Sequence, residues 1–429
     1  MDERLIPEAS DRTLTLCPEC WKVVDAWLYE SGSDIFMRTF CPKHGQFDQL
    51  YYKDSSLYRA VDRIVDKRSF CRKMDCARKI ACHNHLEKTY NIMIDLTQRC
   101  NMRCPVCFAE AEDAPPLNEP TALEIYERLP KQRVTNRPNV VFIGGEPTLR
   151  KDLPDLIRGV LELGYIPRVS TNGIKLLDIE YCRKLHDAGL RWIILQFDGL
   201  SDEVFLQLRG RPFLEDKKKI IANCRETGIA VQLAVMVDEK RNGDQVGAII
   251  DYGFSEPAIK WINFYPHTIV NREELADGAQ LHVVDMLRII EEQTGGAVTR
   301  QDYLRMMAVL AGGYKLTGHE IMRQKISTYP MVLIKSAEGM VPLPRLLDFS
   351  GALQHGSALK TLVAGLPRML NFQKMEMPDN VLFITMEKFH NRFAIDLCEA
   401  GCCHMAFMVR DGFVPFDIYN CLYRESPNW

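Results

Sequence analysis

Between about residues 91 and 295, short runs of aliphatic and β-branched residues alternate with stretches whose apolar positions recur at helical spacing. The runs at 91–97, 139–143, 166–170, 192–197, 230–237 and 260–265 read as strands, and 153–163 and 176–188 as two of the helices between them. Strand and helix in alternation predict an α/β fold with a parallel sheet. Six such units predict a partial (β/α)6 TIM-like barrel, left open because it falls short of eight strands. In such a barrel, chemistry gathers where the βα loops converge, at the C-terminal ends of the strands.

The pattern fades on both sides of this core. Residues 1–90 are rich in cysteine and poor in helical periodicity, which predicts a small metal-stapled module. Residues 296–429 are mixed, with a helical run at 302–310, an extended piece at 331–335 and a Cys-containing end. Leu359, Leu362, Leu366 and Leu370 fall at helical spacing, interrupted by Pro367. They read as a core helix in preference to a lipid-facing one.

Composition narrows the function classes. Lys+Arg of 54 against Asp+Glu of 57 leaves a net charge of -3, and the longest like-charge run is Lys217-Lys218-Lys219, so no nucleic-acid partner is expected. Met1-Asp2-Glu3-Arg4 opens without an apolar signal core, and no stretch reaches the roughly 18 apolar residues of a membrane span, so a cytoplasmic protein without a transmembrane segment is expected. Fifteen cysteines in a reducing compartment point to metal binding or catalysis, because disulfides are rare there. Only Cys182 and Cys224 stand apart from a cluster, and each reads as a small buried hydrophobe.

The sharpest motif is Cys100-Asn-Met-Arg-Cys104-Pro-Val-Cys107, directly after the first core strand. Three thiolates on one loop can hold three irons of a [4Fe–4S] cube and leave the fourth open to another ligand. By spacing alone, a zinc site or half of a ferredoxin site remains an alternative. Gly144-Gly145-Glu146-Pro147 ends the second strand, where paired glycines let backbone come close and a carboxylate can accept from an ammonium group. Ser170-Thr171-Asn172-Gly173 ends the third, with hydroxyl and amide groups suited to a ribose, and Gln196-Phe197-Asp198-Gly199 ends the fourth. Each alone would be an ordinary turn. Four at the ends of four successive strands are a site.

This set resembles the radical S-adenosylmethionine (SAM) superfamily, over roughly residues 91 to 270. The resemblance implies that Cys100, Cys104 and Cys107 bind the cluster and that its open iron chelates the methionine part of SAM. It places Gly145 and Glu146 at the methionine amino group, with Gly144 in the same cofactor-binding set, and Ser170 and Asn172 on the ribose or carboxylate side. Gln196 and Asp198 belong to the same cofactor-binding set. The strand through Val235 would pass under the adenine, with Asn242 just beyond. Reductive cleavage would then yield a 5′-deoxyadenosyl radical, with electrons from a flavodoxin or ferredoxin.

Cys17-Pro-Glu-Cys20 followed by Cys41-Pro-Lys-His44-Gly45 reads as a tetrahedral Cys3His site for zinc or a mononuclear iron. Cys71, Cys76 and Cys82 precede the radical loop, and Cys398, Cys402, Cys403 and Cys421 lie near the end. With these features the chain looks like the narrower group containing archaeal tetraether lipid synthases and proteins described as pterin-methylating. One auxiliary [4Fe–4S] cluster is expected from the first trio with a distant ligand, and the terminal cysteines are candidates for another or for plain packing. The chain departs from that group at Asp417, where relatives often have cysteine, and at residues 328–350, which carry none. It is therefore not read simply as a tetraether synthase.

The expected activity is modification of an unactivated carbon, by C–C bond formation or C-methylation, in a lipid or small-molecule substrate. The readings that compete with it are a non-catalytic iron–sulfur electron-transfer protein and aminocarboxypropyl transfer from SAM. Replacing Cys104 by alanine is expected to abolish SAM cleavage, measured as 5′-deoxyadenosine released under dithionite; full turnover would remove the loop assignment.

Overall fold

The computed structural model describes residues 11–65, 89–107, 109–111, 119–130, 138–268, 272–273, 281–317, 327–337, 339–346, 378–390, 393–401 and 403–424. The 359–370 run lies outside them.

The chain begins with a four-stranded antiparallel meander, β1 (Asp11–Leu16), β2 (Val23–Ser31), β3 (Asp34–Cys41) and β4 (Gly45–Tyr52), hydrogen-bonded in sequence order. Burial alternates along β3, as expected of strands with one covered face. Helix α1 (Ser55–Ile64) follows, its start fixed by the Asp54 carboxylate accepting from Leu57 N at 2.9 Å. It buries Leu57, Tyr58 and Val61.

The main sheet is of mixed α/β construction. Its strands are β5 (Asn91–Thr97), β7 (Asn139–Gly144), β8 (Ile166–Thr171), β9 (Trp192–Gln196), β10 (Ala230–Val237) and β11 (Ile259–Pro266), joined side by side in parallel. A short strand β6 (Val106–Cys107) within the cysteine loop pairs instead with β12 (Arg272–Glu273). Helices α2 (Ala122–Arg128), α3 (Leu153–Glu162), α4 (Ile179–Asp187), α5 (Asp202–Arg209), α6 (Leu214–Thr227) and α7 (Val246–Ser255) lie between the strands. The six strands fall where the alternating pattern puts them, within a residue at most ends. Cys182 on α4 and Cys224 on α6 are both fully buried and meet each other, as small core side chains do.

Residues beyond 296 extend this same sheet at both edges. After α8 (Val283–Gln293) and α9 (Arg300–Thr317), β13 (Thr328–Ser336), β14 (Gly339–Pro342) and β15 (Val381–Glu387) add to one side, with β15 parallel to β11. Strands β16 (Met405–Val409) and β17 (Gly412–Pro415) add to the other, with β16 parallel to β5.

The sheet has two buried faces. Ile92, Ile94, Val140 and Phe142 pack in one core with Leu156, Ile157 and Val160 of α3, while Met93 and Val141 pack in another with Phe407, Phe416 and Tyr419 near the C-terminal end. Side-chain alternation along β5 and β7 produces this division. On the second face, stacked rings run Tyr265–Phe389 (4.9 Å between centroids), Phe389–Phe416 (5.1 Å), Phe416–Phe407 (5.5 Å) and Phe407–Tyr419 (3.9 Å). Asp95 of β5 points into the same face, accepting from Tyr419 Oη and Arg424 Nη1, each at 3.2 Å. Burial pushes its carboxyl above the usual range, and Arg424 opposes that rise. Phe407→Ala should cost about 3–5 kcal/mol through lost transfer energy and the cavity left behind, read from the denaturant midpoint at unchanged m value.

Candidate active site

The cysteine loop leaves β5 at Thr97 and is pinned at once by the end of β7. Gly145 N donates to Thr97 O at 2.7 Å and Glu146 N donates to Arg99 O at 2.8 Å. A β-carbon at position 144 would stand 2.4 Å from Thr97 O, and one at position 145 would stand 2.1 Å from Arg99 O. Gly144 also has φ of 132°, which side chains rarely adopt. The paired glycines thus let one stretch of backbone press against another, and the one they press against carries the cysteines.

Glu146 is fully buried. Its Oε1 accepts from Thr148 N (3.1 Å), Thr148 Oγ1 (2.6 Å) and Thr171 Oγ1 (2.7 Å), and its Oε2 accepts from Asn172 N (2.7 Å). Asn172 in turn donates from Nδ2 to Asn101 Oδ1 at 2.8 Å and lies 3.9 Å from Cys100 Sγ. The structure therefore brings Cys100, Gly144, Gly145, Glu146 and Asn172 together, with Glu146 bonded to the backbone and hydroxyls that shape the site. Ser170 is half-buried at the end of β8, in register with Ile194.

The ends of β8 and β9 are joined by a buried ammonium. Lys217 donates to Asn172 O at 2.6 Å and to Gln196 Oε1 at 2.9 Å. Burial lowers its pKa to about 7, against the pull of the Asp198 charge. Asp198 is fully buried and holds Arg209 with two prongs, Nε to Oδ2 at 2.6 Å and Nη2 to Oδ1 at 2.8 Å. Asn242 donates from Nδ2 to Asp198 O (2.7 Å) and Met236 O (2.6 Å), and its Oδ1 accepts from Asp238 N (2.7 Å). Its amide thus braces the ends of β9 and β10. Val235 is fully buried in the sheet.

The three thiols are half-buried. Burial, with Glu146, Cys104 and Cys107 adding repulsion, pushes the Cys100 thiol up to about 12; burial also raises that of Cys104, and Arg209 opposes it. Three sulfurs that repel one another as thiolates are a donor set for cationic iron. Among the described residues, the single group of side chains that converges as one ion would require is Cys17, Cys20, Cys41 and His44, not the loop trio. The trio accordingly fits a cluster of several irons better than one zinc.

That other group sits where two turns of the meander face each other. Cys17 Sγ lies 3.4 Å from His44 Nδ1, Cys41 Sγ 3.6 Å from the same nitrogen, and Cys20 Sγ 3.9 Å from Cys41 Sγ. A tetrahedron with metal–sulfur bonds of about 2.3 Å and metal–nitrogen bonds of about 2.0 Å has edges of roughly 3.5–3.8 Å, so the four fit one ion. Backbone N–H groups of Lys43 and His44 lower the Cys41 thiol to about 6, favouring the thiolate a metal needs, while burial raises Cys17.

Cys71, Cys76, Cys82 and Cys402 lie outside the described residues. Cys403 is buried, Cys398 and Cys421 are half-buried, and all three border the core of the second sheet face. Sequence reasoning singled out neither Lys217, which stands in an ordinary charge run, nor Arg209, the last residue of α5. The one available signal for Arg209 was its place before the helix-ending Gly210.

A three-cysteine loop clamped by a Gly-Gly-Glu turn, at the C-terminal ends of parallel strands, defines a radical SAM enzyme, and residues 94–252 match the Radical SAM superfamily model. The segment 94–252 belongs to that superfamily, and membership implies a [4Fe–4S] cluster and SAM. Residues 9–53 match the HMPTM N-terminal zinc ribbon domain. The chain is 29% identical over 477 residues to 7,8-dihydro-6-hydroxymethylpterin dimethyltransferase of Methanocaldococcus jannaschii, covering 97% of this chain and 94% of that protein. It is 34% identical over 176 residues to Fe-coproporphyrin III synthase of Methanosarcina barkeri, covering 41% of this chain and 43% of that one. Among solved structures it is similar to Streptococcus suis SuiB bound to S-adenosylmethionine, at 14% identity and a TM-score of 0.42, over 67% of this chain and 71% of that one. The non-catalytic relay reading falls with this membership.

Gly145→Ala should force the clamped backbones apart, lower stability by about 1–3 kcal/mol and reduce iron retained per chain after anaerobic reconstitution, measured by thermal unfolding and iron assay. Lys217 supplies a pH test. In the folded chain it releases its proton near 7, whereas in the unfolded chain it keeps it to about 10.4. The unfolded state binds more protons in that window, so this group makes stability rise with pH from about 7 to 10. Denaturant unfolding of wild type and Lys217→Met across that range should show the rise in the former and its loss in the latter.

Proposed function

We propose that the chain is a radical SAM methyltransferase that methylates carbon in a reduced pterin or a closely similar small heterocycle. The observation that carries this reading is the extent of the similarity to the dimethyltransferase, which runs through nearly the whole of both chains and is not confined to the radical SAM segment. A shared activation step alone would account for likeness over the central segment. Likeness that continues through the N-terminal meander and the last strands argues for a related substrate.

In this reading the parallel strands curl into a partial barrel around the site, with residues 1–90, 91–295 and 296–429 as ribbon, core and substrate-side region. Cys100, Cys104 and Cys107 hold the cluster, which with SAM supplies the 5′-deoxyadenosyl radical. Asn172, Gln196 and Lys217 line the methionine end of SAM, and Glu146 fixes the loop that presents them. The buried aromatic face excludes water from the radical. Cys17, Cys20, Cys41 and His44 hold zinc in a structural role, since the four donors close the coordination shell. A flavodoxin-like or ferredoxin-like reductant in the cytoplasm supplies the electron.

The test is an anaerobic assay of the iron- and sulfide-loaded chain with dithionite, SAM and 7,8-dihydro-6-hydroxymethylpterin. The expected products are 5′-deoxyadenosine and pterin carrying one or two added methyl groups by mass spectrometry. Turnover of SAM with the pterin unchanged would overturn the substrate, and 5′-methylthioadenosine in place of 5′-deoxyadenosine would point to aminocarboxypropyl transfer.

A further inference from the structure

Arg209 is the last residue of α5, and its guanidinium turns inward to four places at once. Two N–H groups are taken by Asp198, one is directed to Val106 O at 3.2 Å, and the positive charge lies on the side of Cys104, where it opposes the rise of that thiol. Val106 and Cys104 both belong to the cysteine loop; Asp198 belongs to the end of β9. The side chain thus joins the loop to the strand, with one bond from each of its three nitrogens.

The arrangement has a direction. Asp198 is fully buried, and its carboxylate also accepts from Met236 N at 3.3 Å and from the Gln196 amide. It therefore holds Arg209 from behind, and the positive end of the pair is turned toward sulfur. In a site of low dielectric such an oriented pair acts on the neighbouring thiolate far more than it would in water. Lys217, the other buried cation nearby, spends its bonds on Asn172 and Gln196. An ion pair serving only to hold α5 would not need to reach the loop carbonyl.

We propose that Arg209 is a positioning residue that sets the reduction potential of the cluster through the guanidinium charge it holds against the cysteine loop at Val106 O, with Asp198 fixing its orientation. Hydrogen bonds and positive charge at cluster sulfurs favour the more negative, reduced state and raise the potential. The consequence for function is that Arg209 makes the electron-loaded state reachable by a biological reductant. The inference rests on the three-thiolate cluster reading, and the experiment separates the two.

Wild type, Arg209→Gln and Arg209→Lys are reconstituted anaerobically, assayed for iron and sulfide, and titrated with reductant while the reduced cluster is followed by electron paramagnetic resonance. Failure of the wild type to take up a cluster would end the cluster reading, and this inference with it. With the wild type loaded, Arg209→Gln should need a potential more negative by about 59 mV, a tenfold fall in the reduced-to-oxidised ratio at fixed potential. Arg209→Lys should shift less, because it keeps the charge but loses the fork. A loaded Arg209→Gln with the wild-type midpoint overturns the proposal. If Arg209→Gln takes up no cluster, Arg209→Lys decides: a lowered midpoint supports the proposal, whereas an unchanged midpoint or no cluster assigns Arg209 to folding alone and overturns it.

Discussion

Everything at the site depends on two backbone hydrogen bonds made where no side chain can fit. The bonds from Gly145 N to Thr97 O and from Glu146 N to Arg99 O clamp the root of the cysteine loop onto the next strand, and the space they close is too small for a β-carbon. A loop that must hold three thiolates against mutual repulsion needs a fixed root, since each ordered residue costs conformational entropy. The clamp supplies it from rigid sheet, and Glu146, gripping the backbone of Asn172, carries the same constraint to the third strand.

Behind the clamp lies a layer of buried charge. Glu146, Asp198, Lys217 and Arg209 would each be costly to bury alone, yet each has partners that satisfy its hydrogen-bonding groups. Their order matters more than their net sum: the carboxylates sit just past the ends of β7 and β9, while the cations reach in from α5 and α6 to carbonyl and amide oxygens at the strand ends. This is an electrostatic floor prepared before any cofactor arrives, and it asks for little reorganisation when one does.

Much of this was legible in the sequence because the motifs are local. The alternation of strand and helix located six parallel strands, and the loop from Cys100 to Cys107 and the turn from Gly144 to Glu146 are stretches that the structure brings together, since those residues lie within a few positions of a strand end. What escaped was the part made by distant packing. Arg209 and Lys217 stand on helices in charged segments that look solvated, and nothing nearby announces the carboxylate or carbonyl each will meet. Asp198 and Asn242 were expected among the cofactor's neighbours, and the bracing of protein that their side chains also do is made by distant packing. The flanking strands β15 and β16 were equally hidden: pairing with β11 and β5 is decided across more than a hundred intervening residues, beyond the reach of periodicity.

The pairing of β16 with β5 has a consequence for how the molecule is made. The strand that launches the cysteine loop gains its outer neighbour, and Asp95 gains Tyr419 and Arg424, only after the ribosome has added more than three hundred further residues. Until then one edge of β5 is bare and a carboxylate waits without its counter-charge. The strand that carries the loop is therefore complete on both sides, and its buried carboxylate neutralised, only in a chain that has been made as far as Arg424.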